Sequence, residues 1–188
     1  MVVNPQPVVE ARRARATTFV TVMRATRHRS NATGMDMLRL TIRRETAMSS
    51  TTVDAVIPAP RDRVYRLFTQ RDSLNAYLPI NFTLQRPGSP EPTGVGARYR
   101  VGRGGFGITE ETTALVPGER MEYKIIAGAP VKSHTGTITF ADAPDGGTLV
   151  SYRMESFPKL PVPDRLTQLF LRGLITPFLS AARKAAAE

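Results

Sequence analysis

The sequence contains no cysteine and only two histidines, His28 and His134. Without cysteine there are no disulfides, thiol nucleophiles or thiolate metal sites. Two histidines outside any H-E-x-x-H motif exclude a histidine-rich metal cluster, and no G-x-S-x-G motif is present. No apolar run approaches the ~18 residues that a membrane-spanning helix needs. We therefore expect neither a metal nor another cofactor.

Positive charge is concentrated near the start of the chain. The net charge is +10, and residues 1–50 hold nine arginines and three acidic residues. No apolar core precedes a small-residue cleavage site, so this stretch is not a secretory signal, and we expect a cytoplasmic protein. It is interpreted in three ways: a basic arm that contacts nucleic acid or anionic membrane, an organelle-targeting segment, or an extension without structure.

The third interpretation is preferred because a folding pattern begins immediately after Met48 and none is convincing before it. We expect residues 1–48 to be disordered and dispensable, and residues 49–188 to form one domain. The sequence leaves the oligomeric state open.

A long amphipathic helix is predicted from Pro163 to Ala186, with Asp164 as its N-cap. Pro177 lies inside the pattern and predicts a bend. One apolar row has spacings of three and four, and a second row beside it consists of Leu171, Ile175, Leu179 and Ala182. The first row contains Leu166, Leu169, Phe170, Leu174, Phe178 and Ala181. Such a wide apolar surface is stable only when another element covers it.

The segments before this helix read mostly as strands. A strand over residues 52–57 is followed by two short helices, over residues 60–69 and 73–78. Six more strands are predicted over residues 80–84, 97–101, 108–116, 120–127, 132–140 and 148–157. Strands joined by tight turns form an antiparallel meander, and the long helix must cover one face of it. The expected class is α+β.

The glycine run at residues 102–107 matches the dinucleotide-binding pattern G-x-G-x-x-G. That pattern binds pyrophosphate only where a helix N-terminus follows, and residues 108–113 here are strand-like. The run therefore indicates a flexible hairpin tip, near which a ligand could enter, together with the region of Pro79.

Strand alternation gathers polar residues on the side of the sheet that faces the helix. A two-residue turn at Pro117-Gly118 pairs Ala114 with Met121 and Thr112 with Tyr123. It also pairs Glu110 with Ile125. The predicted ligand-binding residues are Tyr99, Phe106, Ile108, Thr112, Tyr123, Ile125, Ile138, Tyr152, Met154, Phe170, Leu174 and Phe178. Each alone is typical of an ordinary core, but a few polar groups in an apolar concavity indicate a small-molecule site.

Several segments resemble those of the START-like, helix-grip proteins, and most closely the bacterial polyketide cyclase/dehydrase-like (SRPBCC) branch. They are VDAVIPAP at 53–60, VYRLF at 64–68, GVGARY at 94–99, PGERMEY at 117–123 and DGGTLVSY at 145–152. The resemblance covers residues 51–187. It implies a seven-stranded antiparallel sheet wrapped around the C-terminal helix, with a hydrophobic cavity between them. It also implies binding of lipids, polyketides or other apolar compounds, and in some members cyclisation or dehydration.

Two hypotheses for the domain follow. In the first, it binds a hydrophobic small molecule between sheet and helix. In the second, it is a cyclase/dehydrase, with His134 as general acid or base and Glu110 beside it in the catalytic set. The family has no universal catalytic motif to carry over. The enzyme hypothesis requires His134 to line the cavity, whereas its alternative position is an ordinary core or rim histidine.

Overall fold

The computed structural model describes residues 48–188, so the interpretations made for residues 1–47 lie outside the described part. The domain begins with strand β1 (Ser49–Ile57), helix α1 (Arg61–Thr69) and a 3₁₀ helix (Arg71–Tyr77). Six strands follow: β2 (Asn81–Arg86), β3 (Arg98–Arg103), β4 (Phe106–Val116), β5 (Arg120–Ala127), β6 (Val131–Asp142) and β7 (Thr148–Pro158). Helix α2 (Asp164–Ala186) ends the domain.

The seven strands form one antiparallel sheet in the order β1-β7-β6-β5-β4-β3-β2. Strands β2 to β7 are therefore a continuous meander, and β1 is added at its far edge beside the last strand. The short helices after the first strand and the long C-terminal helix lie where the sequence places them. The predicted fold class, a helix-grip sheet around a C-terminal helix, is confirmed.

The turn between β4 and β5 differs from its prediction. Thr112 pairs with Tyr123 as expected, but Ala114 pairs with Glu122 rather than with Met121. The turn contains three residues, 117–119, because Val116 pairs with Arg120, and a β-bulge beyond Thr112 absorbs the extra residue. The bulge restores the alternation, so the predicted face of β4 is retained.

Helix α2 covers the sheet with the second of its two apolar rows. Leu171, Ile175, Leu179 and Ala182 are buried. Phe178 and Ala181 continue the first row into the core, but the part of that row nearer the helix start is exposed: Leu166, Leu169, Phe170 and Leu174. None of the helices in residues 48–188 is long and apolar enough to span a membrane.

The start of α2 also differs from its prediction. Pro163 is the N-cap, and Asp164 is the first helical residue, so its side chain does not cap the helix. The Asp164 carboxylate accepts a hydrogen bond from the Gln168 amide at 2.8 Å. It remains in the first turn, where a negative charge favours the helix dipole.

Candidate functional site

A buried ion pair lies between the sheet and α2. Arg71, the first residue of the 3₁₀ helix, donates from Nη1 to Oε2 of Glu110 on β4. The two side chains are only 6% and 9% exposed. Transferring two charges from water to the protein interior costs free energy, and the attraction between the two partners has to compensate for that cost.

Aromatic rings enclose the Arg71 guanidinium. Its Cζ atom lies 4.5 Å from the ring centroid of Tyr123, 5.4 Å from that of Phe82 and 5.7 Å from that of Tyr99. Ring faces attract a cation most strongly where water is excluded. The Tyr123 hydroxyl is in turn hydrogen-bonded to the Tyr152 hydroxyl at 2.6 Å. Cation, carboxylate and tyrosines therefore form one connected polar group inside an apolar core.

Burial determines the protonation of this group. It lowers the pKa of Arg71, but the Glu110 carboxylate outweighs that effect, so the pKa is raised and the guanidinium stays charged. Burial raises the pKa of Glu110, and Arg71 offsets this only in part. The pKa values of Tyr123 and Tyr152 are also raised, mainly by burial. Both tyrosines therefore act as neutral hydroxyls and not as bases.

A small cavity borders the ion pair. Its volume is about 20 Å³, and its lining consists of Phe68, Arg71, Leu74, Phe82, Glu110, Ile138, Tyr152 and Phe178. That volume holds about one water molecule. A larger depression of about 430 Å³, lined by residues that include Arg61, Glu119 and Arg120, is open to solvent and lies apart from the buried group. The small cavity is therefore the chemically relevant one.

Three buried side-chain atoms in the described residues have no hydrogen-bond partner: Arg71 Nε, Tyr99 Oη and Thr112 Oγ1. All belong to the surroundings of the ion pair, because Arg71 lies over the Tyr99 ring and Thr112 pairs with Tyr123. Arg71 Nε can only donate, and each hydroxyl can donate as well. The buried group therefore has three donors without a partner, and of these residues Arg71 also lines the small cavity.

The predicted site residues fall into four groups. The structure brings together, in the core around the ion pair, Tyr99, Glu110, Thr112, Tyr123, Ile138, Tyr152, Met154 and Phe178. Ile108 and Ile125 are half-buried, toward the ends of their strands. Phe106, Phe170 and Leu174 lie outside the core, and Phe106 is 88% exposed. His134 is buried, with its ring 6.3 Å from that of Tyr123, but it does not line the cavity.

Sequence reasoning missed Arg71, and with it the lining residues Phe68, Leu74 and Phe82. A signal was present, because Arg71 lies three residues after Phe68 and three before Leu74. This spacing continues the apolar stripe of α1 into the next turn. A charged residue in such a stripe needs a buried partner, and Glu110 on the helix-facing side of β4 is that partner.

The His134 side chain is neutral at pH 7, because burial lowers its pKa from 6.5 to about 4. The unfolded chain binds a proton at this residue below pH 6.5, while the folded chain does not until about pH 4. Between these values the unfolded state holds more protons, so stability increases with pH. The contribution of His134 to the free energy of unfolding should fall by about 2 kcal/mol between pH 7 and pH 5.

Denaturant unfolding at several pH values measures this slope. A His134→Gln variant should lose most of it, whereas Ser133→Ala, an exposed neighbour that does not titrate, should keep it. Equal slopes in the two variants would contradict the assignment to His134.

Most of the chain matches one protein family. Residues 48–187 match the family described as polyketide cyclase/dehydrase and lipid transport. Among proteins with curated descriptions, none matches the sequence.

Solved structures share the fold at low sequence identity. Ara h 8.0201 is 14% identical with a TM-score of 0.60, and the match covers 76% of this chain and all of that one. XoxI from Bacillus cereus is 22% identical with a TM-score of 0.60, over 74% of this chain and 96% of its own. TTHA0849 from Thermus thermophilus is 20% identical with a TM-score of 0.58, over 73% of this chain and 97% of its own.

Proposed function

Because the chain belongs to the polyketide cyclase/dehydrase and lipid transport family, we propose that it binds an apolar small molecule carrying an acceptor oxygen. The apolar part of the ligand lies between the sheet and α2. The oxygen, from a carbonyl or carboxylate group, accepts hydrogen bonds from the group around Arg71. Burial of apolar area supplies most of the affinity, and the oxygen supplies orientation.

The observation that carries this proposal is the set of three unpaired buried atoms, on Arg71, Tyr99 and Thr112. A buried polar group without a partner costs about 1–3 kcal/mol. A ligand oxygen that accepts from these donors recovers part of that cost in the bound state only. These donors therefore have more hydrogen-bond partners in the complex than in the free protein, and this difference favours binding.

Ligand entry has to enlarge the site, because the free cavity holds only about 20 Å³. Phe178 is the half-buried member of the lining. Its ring centroid lies 5.8 Å from that of Phe82 and 6.3 Å from that of Tyr152. Pro177 precedes it and cannot donate to the carbonyl of Gly173, so the helix lacks one hydrogen bond at this turn. We infer that α2 bends at Pro177, so that the Phe178 ring moves away from Phe82 and Tyr152 to admit the ligand.

The test removes the unpaired hydroxyls without changing shape. A Tyr99→Phe/Thr112→Val variant should be more stable than the natural chain by about 1–2 kcal/mol, because it no longer buries unsatisfied groups. Its affinity for long-chain fatty acids and methyl ketones should fall about tenfold. Affinity for alkanes of the same length should not change. Thermal unfolding measures the first effect and titration calorimetry the second.

Tyr152→Phe is the matched control. The Tyr152 hydroxyl already has Tyr123 as its partner, so this variant should lose stability, by about 1 kcal/mol. The proposal fails if none of the three compound classes binds, or if alkanes bind as tightly as the oxygenated compounds.

A second candidate, an enzyme of the cyclase/dehydrase kind, is favoured by the position of Glu110 rather than of His134. Glu110 lines the cavity, and burial raises the pKa of its carboxyl, the direction in which a general acid is tuned. Arg71 and the tyrosine hydroxyls beside it can stabilise an oxyanion. Recovery of each bound compound unchanged after incubation distinguishes carriage from catalysis.

A further inference from the structure

One end of the domain, called here the open end, gathers several loops and the exposed half of α2. It comprises the β3–β4 and β5–β6 turns with the strand residues next to them, the start of β1 and residues 157–174. The sheet register brings these together, since Arg103 pairs with Phe106 and Ser49 pairs with Ser156. The Lys159 amide also donates to the carbonyl of Pro130 at 3.1 Å.

Large apolar side chains are exposed mainly at the open end. Of thirteen in the described residues, nine lie there: Met48, Phe106, Ile126, Leu160, Val162, Leu166, Leu169, Phe170 and Leu174. Phe106, Leu169 and Phe170 are 88%, 68% and 65% exposed. Concentrated exposure of this kind marks an interaction surface.

The open end also carries the positive charge of the domain. Its exposed basic side chains are Arg103, Lys132, Lys159, Arg165 and Arg172. Its one acidic residue is Asp164, which already accepts a hydrogen bond. The other described residues hold twelve basic and twelve acidic side chains and are therefore neutral in sum. A partner of this surface must offer both negative charge and an apolar phase.

We propose that the open end docks on an anionic phospholipid bilayer. Apolar side chains flanked by cations match acyl chains beneath anionic headgroups, each supplying part of the binding free energy. A second copy of the chain is disfavoured, because two open ends carry like charge. Residues 1–47 are disfavoured for the same reason, since they hold nine arginines. This inference goes beyond ligand binding and can hold or fail independently of it.

The absence of tryptophan allows a direct test on the full chain. Phe170→Trp places a single reporter in the exposed row of α2. Its fluorescence should shift to the blue and be quenched by brominated acyl chains with vesicles of phosphatidylcholine and phosphatidylglycerol, and not with phosphatidylcholine alone. Leu149→Trp, exposed at the opposite end of β7, is the control and should show neither change.

Vesicle sedimentation of two further double variants separates the apolar contribution to bilayer binding from the electrostatic one. Leu169→Ser/Phe170→Ser should reduce binding at least about tenfold, because apolar burial is lost at unchanged charge. Arg165→Gln/Arg172→Gln should reduce it by roughly fivefold per charge removed, whereas Arg66→Gln on α1 should have little effect.

Circular dichroism verifies that each variant is folded. Binding by the arginines of residues 1–47 alone would leave the serine variant as tightly bound as the natural chain, and this result would overturn the proposal. So would a natural chain that is a dimer in solution and becomes monomeric on the same substitutions. The proposal would also be overturned if the Leu169→Ser/Phe170→Ser variant unfolded at a lower temperature but bound vesicles as tightly as the natural chain. Leu169 and Phe170 would then be covered by another part of the chain.

Discussion

A Glu110→Leu substitution should destabilise the domain by about 3–5 kcal/mol. It leaves the Arg71 guanidinium buried, charged and without its carboxylate. Arginine cannot relieve this by losing its proton, because its pKa lies far above neutral. The surrounding ring faces supply only part of what is lost. Denaturant unfolding monitored by circular dichroism gives the free energy directly.

The reverse substitution, Arg71→Met, should cost less. The remaining Glu110 can neutralise itself by binding a proton, and burial already raises its pKa. The cost of Arg71→Met should therefore be smaller at pH 5 than at pH 8. The double variant should be more stable than either single variant, because no unpaired charge remains.

The exposed ion pair between Arg153 and Glu155 is the control for the single and double variants of Arg71 and Glu110. Its atoms are 2.7 Å apart, but the side chains are 51% and 33% exposed. Solvent screens such a pair, so Glu155→Leu should change stability by no more than about 1 kcal/mol. If the buried and exposed pairs gave equal costs, or if the buried pair showed no coupling free energy, the role given to burial would be wrong.

Gly136→Ala should destabilise the domain by about 3 kcal/mol, at the upper end of the range for overpacked cores. A Cβ atom at Gly136 would lie 2.2 Å from Cε1 and Cζ of Tyr123 and 2.5 Å from its hydroxyl oxygen. The Tyr123 ring cannot move away easily, since one of its faces contacts Arg71 and its hydroxyl is hydrogen-bonded to the Tyr152 hydroxyl. Calorimetric unfolding measures the loss.

A matched glycine in α2 should respond in the opposite direction. A Cβ atom at Gly173 would have no heavy atom within 4 Å. Gly173→Ala should therefore stabilise the domain by about 0.5–1 kcal/mol through helix propensity alone. Combining Gly136→Ala with Tyr123→Leu should recover part of the loss by removing the obstructing ring. A Gly136→Ala variant as stable as the natural chain would show that the Tyr123 ring is not held in place.

The fold was predictable because the main periodic patterns agreed with it. Alternation along β5, β6 and β7 and the three-to-four spacing in α2 are strong periodic signals, and they place their elements within a few residues. The β4–β5 turn was misplaced by one residue, since a bulge is not visible in a pattern of alternating side chains. The same bulge corrected the error for Thr112 and Glu110, so the face was right although the turn was wrong.

The site was predictable only in part, because periodicity assigns a side chain to a face without saying how much space remains beside it. Glu110, Tyr123 and Tyr152 were placed together correctly in the core. Their partner, Arg71, lies on a short 3₁₀ helix. Its spacing from Phe68 and Leu74 assigns it to the apolar stripe of α1 but does not show which strand residue it contacts. The exposure of Phe170 and Leu174 depends on how far α2 extends beyond the covered part of the sheet, which spacing within the helix does not encode.

The position of β1 has a consequence for the order in which the domain folds. Of the strands in residues 48–188, β1 is synthesised first, yet among them it pairs only with β7, and Ser49 pairs with Ser156. Closing a loop of about 100 residues is entropically costly and slow compared with hairpin formation. The meander of β2 to β7 can build from neighbouring hairpins, whereas β1 waits unpaired until the last strand has left the ribosome. The first and last strands, β1 and β7, are therefore joined last, and removing β1 would expose the edge of β7.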